Sequence, residues 1–206
     1  MWHILVRGGW MMIPLALCSV VTVTVIIERF FFFRSLRAKS RAEEVIGLVR
    51  EGRFEEALRI TDETAGPKGP SLPVMRVLAA GITHAFERTG AMEAAATAEI
   101  SAMKRGLVAL DTIVTLSPLL GLLGTIIGMI RAFNVMAAAG LGQPHAVTGG
   151  VAEALVCTAA GISVAVVTLV PYNYFLSRVE GETDVIETYA TRLELAAGVA
   201  SKEQAS

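Results

Sequence analysis

Charge is missing from three long stretches of this 206-residue chain, and that absence excludes an ordinary soluble globular domain. Gly8 to Ile27, Thr112 to Ile130 and Ala154 to Leu176 carry no charged residue, while Arg34 to Arg105 holds most of the charge. The near-zero net charge of −1 conceals this division. Cysteine is scarce too: Cys18 and Cys157 lie inside uncharged runs without a paired spacing, so they read as small apolar packing residues rather than a disulfide or thiolate site. The three histidines, His3, His84 and His145, have no HExxH-like spacing, and no metal site is expected. Phosphate-binding glycine loops, nucleophile elbows and zinc deaminase motifs are lacking as well, and an enzyme is not expected.

What is present is a chain 53% hydrophobic, with each uncharged run near the ~20 residues a helix needs to cross a bilayer. Three transmembrane helices are expected, in an all-α membrane protein. The first run has little basic residue before it beyond Arg7, no small-residue cleavage site after it, and an interface-like follower in Glu28, Arg29 and Phe30 to Phe33. It therefore reads as a retained helix rather than a signal peptide. Arg29, Arg34, Arg37, Lys39, Arg41, Lys104, Arg105 and Arg178 flank the spans on one side, which is the cytoplasmic side by the basic-residue rule. The N-terminus is then outside and the C-terminus inside, with Arg7 and Arg131 dissenting. The expected division is 1–33 for the outer N-terminus and first span, 34–105 for a cytoplasmic helical region, and 106–137 for the second span. It continues with 138–149 for an outer loop, 150–177 for the third span and 178–206 for a cytoplasmic helix and tail.

Within the charged region, Val45, Ile46, Leu48, Val49, Phe54, Ala57, Leu58 and Ile60 recur at helical spacing and suggest a helical hairpin, broken by Gly66, Pro67, Gly69 and Pro70. Between Pro73 and Phe133 the one further proline is Pro118, and Val74, Val77, Leu78, Gly81, Ile82, Ala85 and Phe86 recur at helical spacing. The second span is read as the upper part of a longer helix that starts well inside the cytoplasm. After the third span, Val179, Val185, Ile186, Tyr189, Leu193 and Leu195 keep a helical stripe above acidic side chains, as in a helix that continues the span and packs on the first cytoplasmic segments.

Glu153 is the sole acidic residue between Asp111 and Glu180. A carboxylate at the centre of a membrane helix costs about 2.5–3.5 kcal/mol even on lenient scales, so its retention calls for a partner or a purpose. Two readings stand. Either Glu153 starts the third helix at the outer interface, favoured by the macrodipole, or the helix begins earlier and carries it inward. Thr125 and Thr158 place hydroxyls in the same apolar surroundings; each either bonds back to its own helix or joins Glu153 in a polar ring of an assembly. Gly121, Gly124 and Gly128 on the second span, and Ala154, Thr158, Gly161 and Ala165 on the third, are small faces that admit another helix closely. Asp111, Arg131, Lys104 and Arg105 read as span-end anchors that snorkel to water.

The strings LSPLLGLLGTIIGMIRAF and GGVAEALVCTAAGISVAVVTLVPYNYF, separated by a short loop, resemble the MotA/TolQ/ExbB proton-channel family, in its ExbB and TolQ branch. The likeness is strong over about Leu116 to Phe175, and the order of one span, a large polar segment and two further spans agrees with it. The resemblance implies a homopentamer whose second and third spans surround a central pore holding a dimeric ExbD/TolR-like single-span partner. It also implies an inner-membrane complex that uses inward ion flow to energise transport or envelope work, with a TonB/TolA-like protein as a further partner. By the same likeness Glu153, Thr125 and Thr158 line the ion pathway, Arg131 departs from the usual uncharged or weakly basic residue, and no cofactor is implied beyond the coupling ion, a proton or sodium. A non-conducting scaffold that merely assembles partner helices is the competing expectation; a solute transporter would show inverted repeats or broken helices, which are not seen.

Overall fold

The computed structural model describes residues 9–34, 39–65, 72–139 and 144–204, and among these every regular element is helical. The helices are α1 (Met12–Arg34), α2 (Lys39–Arg50), α3 (Phe54–Ala65), α4 (Pro73–Thr83), α5 (Arg88–Lys104), α6 (Leu107–Ala139) and α7 (Pro144–Gln204), with a 3-10 turn at Ala85–Glu87. The expected breakers Gly66, Pro67, Gly69 and Pro70, together with His3, Arg7 and Arg37, lie outside the described residues. Three helices, α1, α6 and α7, are long and apolar enough to cross a membrane. The chain divides into two compact units, one of Met1–Glu28 with Gly106–Phe175, the other of Arg29–Arg105 with Leu176–Ser206.

In the first unit α6 and α7 pack antiparallel through their small residues. A Cβ added to Gly121 would stand 3.1 Å from Thr158 Cα, one on Gly128 3.1 Å from Gly150 O, and one on Gly161 2.5 Å from Ser117 O. Without side chains there, the two backbones come close enough for dispersion to act along the whole seam, which is what joins helices where lipid removes the hydrophobic drive. Met11, Met12 and Leu15 at the start of α1 close over Cys157, with Leu120, Ile127 and Ala160 around them. Deeper along α1, the buried Thr22 and Thr168 hydroxyls lie 3.0 Å apart. Thr168 gives its own proton to Val164 O at 2.7 Å, so it accepts from Thr22, and the pair is satisfied without water. Outside this seam α6 and α7 leave Leu119, Leu122, Ile126, Ile130, Leu155, Ile162, Val166 and Val170 exposed.

The second unit is a stack of short helices against the last part of α7. The α2–α3 hairpin turns at Gly52, whose φ of +75° suits glycine, with Arg53 N donating to Leu48 O at 2.9 Å. Val45, Val49, Ala57, Met75, Leu78, Met103, Ile186 and Leu193 form a fully buried apolar set. Two polar clasps brace it. Arg192 donates to both Glu43 oxygens at 2.6 and 2.8 Å while Tyr189 Oη donates to Glu43 Oε1 at 2.9 Å, and Arg76 meets the mostly buried Glu99 at 2.9 Å.

One expectation is corrected. The stretch from Pro73 to Phe133 is not a single long helix but α4, a 3-10 turn, α5 and α6. At His84 the backbone leaves the helix (φ −105°, ψ 66°), and Arg88 Nε takes the Gly81 carbonyl at 2.9 Å, so α5 folds back on α4. Gly81 lies against Met92, which a larger residue would push away. The second break is Gly106, at φ +82°. There the buried Arg29 donates to the Ala102 and Met103 carbonyls at 3.2 and 3.3 Å, satisfying the last turn of α5 so that it can end. An apolar stripe cannot distinguish one helix from two that fold together. The outer connection also differs: 138–139 and 144–149 are helical, so α6 and α7 are each longer than their expected spans.

Candidate functional site

Glu153 lies nine residues into α7, about 13 Å from its first residue. The macrodipole acts within the first turn, so a helix-start role for this carboxylate does not hold. Glu153 has a partner in Arg131 on α6, whose Nη1 stands 3.4 Å from its Oε1. The Glu153 side chain is 28% exposed and that of Arg131 56%. In water a pair so exposed contributes at most about 1 kcal/mol; its weight here is in fixing where the carboxylate points. A third element approaches the same group. Gly9, just before α1, has φ +67°, and a Cβ on it would overlap Glu153 Oε1. The backbone angle favours glycine, and a side chain here would displace the Glu153 carboxylate.

The two threonines divide their roles. Thr158 Oγ1 donates across the seam to Gly121 O at 3.2 Å, a bond possible because neither glycine nor threonine holds the helices apart. Thr125 Oγ1 turns back to Leu122 O on its own helix at 2.7 Å. Helical rise puts Thr125 about 6 Å from the Gly121 level along α6 and Glu153 about 7.5 Å from the Thr158 level along α7. Because the helices run antiparallel, both displacements point toward the same end of the seam. Thr125 and Glu153 thus stand at comparable height in one protomer, while Thr158 lies about 7.5 Å lower, so the three do not share one level, and among the described residues no hydrogen bond joins Glu153 to either threonine. Between these two levels Gly124 faces Cys157, whose sulfur a Cβ at 124 would strike.

Sequence spacing singles out Glu153 but not its neighbours. Arg131 reads as an anchor and Gly9 as the edge of a span; the signal that links them is an opposite charge across a short connection, and a glycine pair, Gly8 and Gly9, before the first helix. Among the described residues no group of three or more His, Cys, Asp or Glu side chains gathers as a metal site.

Comparison with known proteins agrees with this architecture. The model of the MotA/TolQ/ExbB proton channel family matches residues 72–188. An ExbB-like biopolymer transport protein of Synechocystis sp. is 32% identical over 92% of this chain and 76% of its own length. A second from the same organism is 33% identical over 91% of this chain and 90% of its own length. The Tol-Pal system protein TolQ of Haemophilus influenzae is 35% identical over a shorter stretch, 43% of this chain and 39% of its own length. With three apolar helices, a close-packed glycine seam and matches of this extent, the chain is a membrane protein that belongs to the MotA/TolQ/ExbB proton channel family.

Proposed function

We propose that this chain is the ion-conducting subunit of a motor complex in the bacterial inner membrane, driven by the ion motive force. In this reading five copies surround a central pore with their α6 and α7 segments, and a dimeric ExbD/TolR-like single-span protein occupies it. The N-terminus is periplasmic and the second unit cytoplasmic. Ion flow past Glu153, Thr125 and Thr158 moves the partner and energises transport or envelope work, through a TonB/TolA-like protein where one is present.

The observation that carries this reading is a single carboxylate nine residues into a long apolar helix of a proton-channel family member, level with the Thr125 hydroxyl and about 7.5 Å along the helix from Thr158. One elementary charge crossing 100 mV releases about 2.3 kcal/mol, so a few ions per step supply useful work against packing within the membrane. The exposed apolar residues of α6 and α7 suit lipid and neighbouring copies alike. Glu153→Gln tests it, because the carboxylate loses its charge and keeps its shape. A conducting motor loses ion flux and coupled work while its assembly stays intact; undiminished flux and work in that variant would leave the scaffold reading in its place.

A further inference from the structure

The conducting ends of α6 and α7 bring one charge of each sign, and the two meet. Arg131 Nη1 is 3.4 Å from Glu153 Oε1, and Gly9 closes another side of the carboxylate. A channel selects metal cations by a ring of carboxylates and by the number of oxygens it offers at once. Here each protomer supplies a carboxylate already matched by a guanidinium, so the pair sums to zero charge however many copies share the mouth. Nor are other acids at hand, since Glu153 is alone between Asp111 and Glu180. Neither Thr125 nor Thr158 hydrogen-bonds the Glu153 carboxylate, and Thr158 lies about 7.5 Å from it along α7. An alkali metal ion entering this mouth would have to displace a fixed cation and then find several oxygens. A proton asks for one lone pair at a time and travels along water.

We propose that Arg131 is the specificity-determining residue of this path: a fixed counter-cation that denies sodium an uncompensated Glu153 carboxylate and leaves the proton as the ion that passes. The inference rests on the reading that Glu153 lines the conduction route, and it adds which ion that route admits and which side chain decides it. Arg131 belongs to α6 and Glu153 to α7, so the selectivity is set within each protomer by the register of the glycine seam.

The test uses the whole complex, purified in lipid with whatever single-span protein accompanies it and reconstituted into bilayers. Zero-current potentials are measured under separate sodium and proton gradients. The wild type follows the proton gradient and ignores sodium. In Arg131→Gln the sodium-to-proton permeability ratio rises and the zero-current potential shifts toward the sodium gradient, and Arg131→Lys, which returns the charge, restores the proton preference. Arg131→Gln with unchanged selectivity overturns the proposal and leaves conduction past Glu153 standing. Wild-type current that Glu153→Gln does not reduce overturns the functional reading instead. A second measurement needs no variant: carbodiimide labelling of Glu153 in the wild type, followed by mass spectrometry with sodium or choline as the salt. Equal labelling in both salts supports the proposal, and protection by sodium but not by choline overturns it even if Arg131→Gln does not assemble.

Discussion

Glu153 and Thr158 are the residues on which the functional proposal turns, and they differ in what their loss should do. Thr158→Val keeps the shape of the side chain and removes one hydrogen bond across the seam, worth about 0.6 kcal/mol in membrane helices. Assembly should therefore survive while coupled work is lost, and transport assayed beside native mass spectrometry separates the two. Glu43 supports a prediction of another kind. The guanidinium of Arg192, then the hydroxyl of Tyr189, holds its carboxyl below the ordinary carboxylate range. A carboxyl lowered by folding stabilises the folded state above its unfolded pKa, and that contribution fades as pH falls through the folded value. Glu43→Gln should lower the melting temperature at pH 7 and flatten its decline toward pH 4, as read by thermal circular dichroism. Glu99 has the opposite sign: burial outweighs Arg76 and raises its pKa, so its ionisation opposes folding as pH rises. Neither partner of Glu43 is visible from spacing, because Arg192 lies 149 residues away in sequence.

At the level of the element, the seam between α6 and α7 and the breaks around α5 decide the structure. Gly161→Ala would place a methyl group 2.5 Å from Ser117 O and 3.0 Å from Gly121 Cα. Backbone cannot yield as a side chain does, so the helices must separate, at a cost of about 1–3 kcal/mol. A lower melting temperature of the complex in lipid, with weakened assembly, checks this. Gly106→Ala should cost about 1–2 kcal/mol for a different reason, since φ +82° is a left-handed angle that an alanine Cβ resists. The three membrane helices are legible in the sequence because a run without charge, as long as a bilayer is thick, is rarely tolerated outside hydrocarbon. The break between α4 and α5 is not, since it depends on Arg88 reaching the Gly81 carbonyl and on Met92 finding Gly81, contacts that a stripe of apolar residues does not encode.

For the whole molecule, the division into an apolar unit and a charged unit follows the bunching of charge along the chain. The helix α7 contributes to both, and its 61 residues carry the third span without a break into the tail, as the stripe from Val179 to Leu195 predicts. The proposed assembly belongs at this scale. Native mass spectrometry of the complex purified in lipid should return five copies of this chain with two of a single-span partner. A ring without any partner would remove the pore's occupant from the proposal, and a complex with one or two copies would remove the pore itself.

The amino-acid sequence by itself determined the membrane class, the three apolar helices and the lone carboxylate, because hydrocarbon imposes its constraint on every residue of a span and so leaves a mark on local composition. It also carried the family, through two contiguous strings. Tertiary structure alone decided that Arg131 and Gly9 converge on Glu153, that Thr158 bonds across the seam while Thr125 turns back, and that the helix before the second span is broken twice. The convergence on Glu153 and the bond from Thr158 depend on which residues of different helices stand at the same height. That register is set by how closely the glycine faces approach, a property of the packed pair and not of either helix alone.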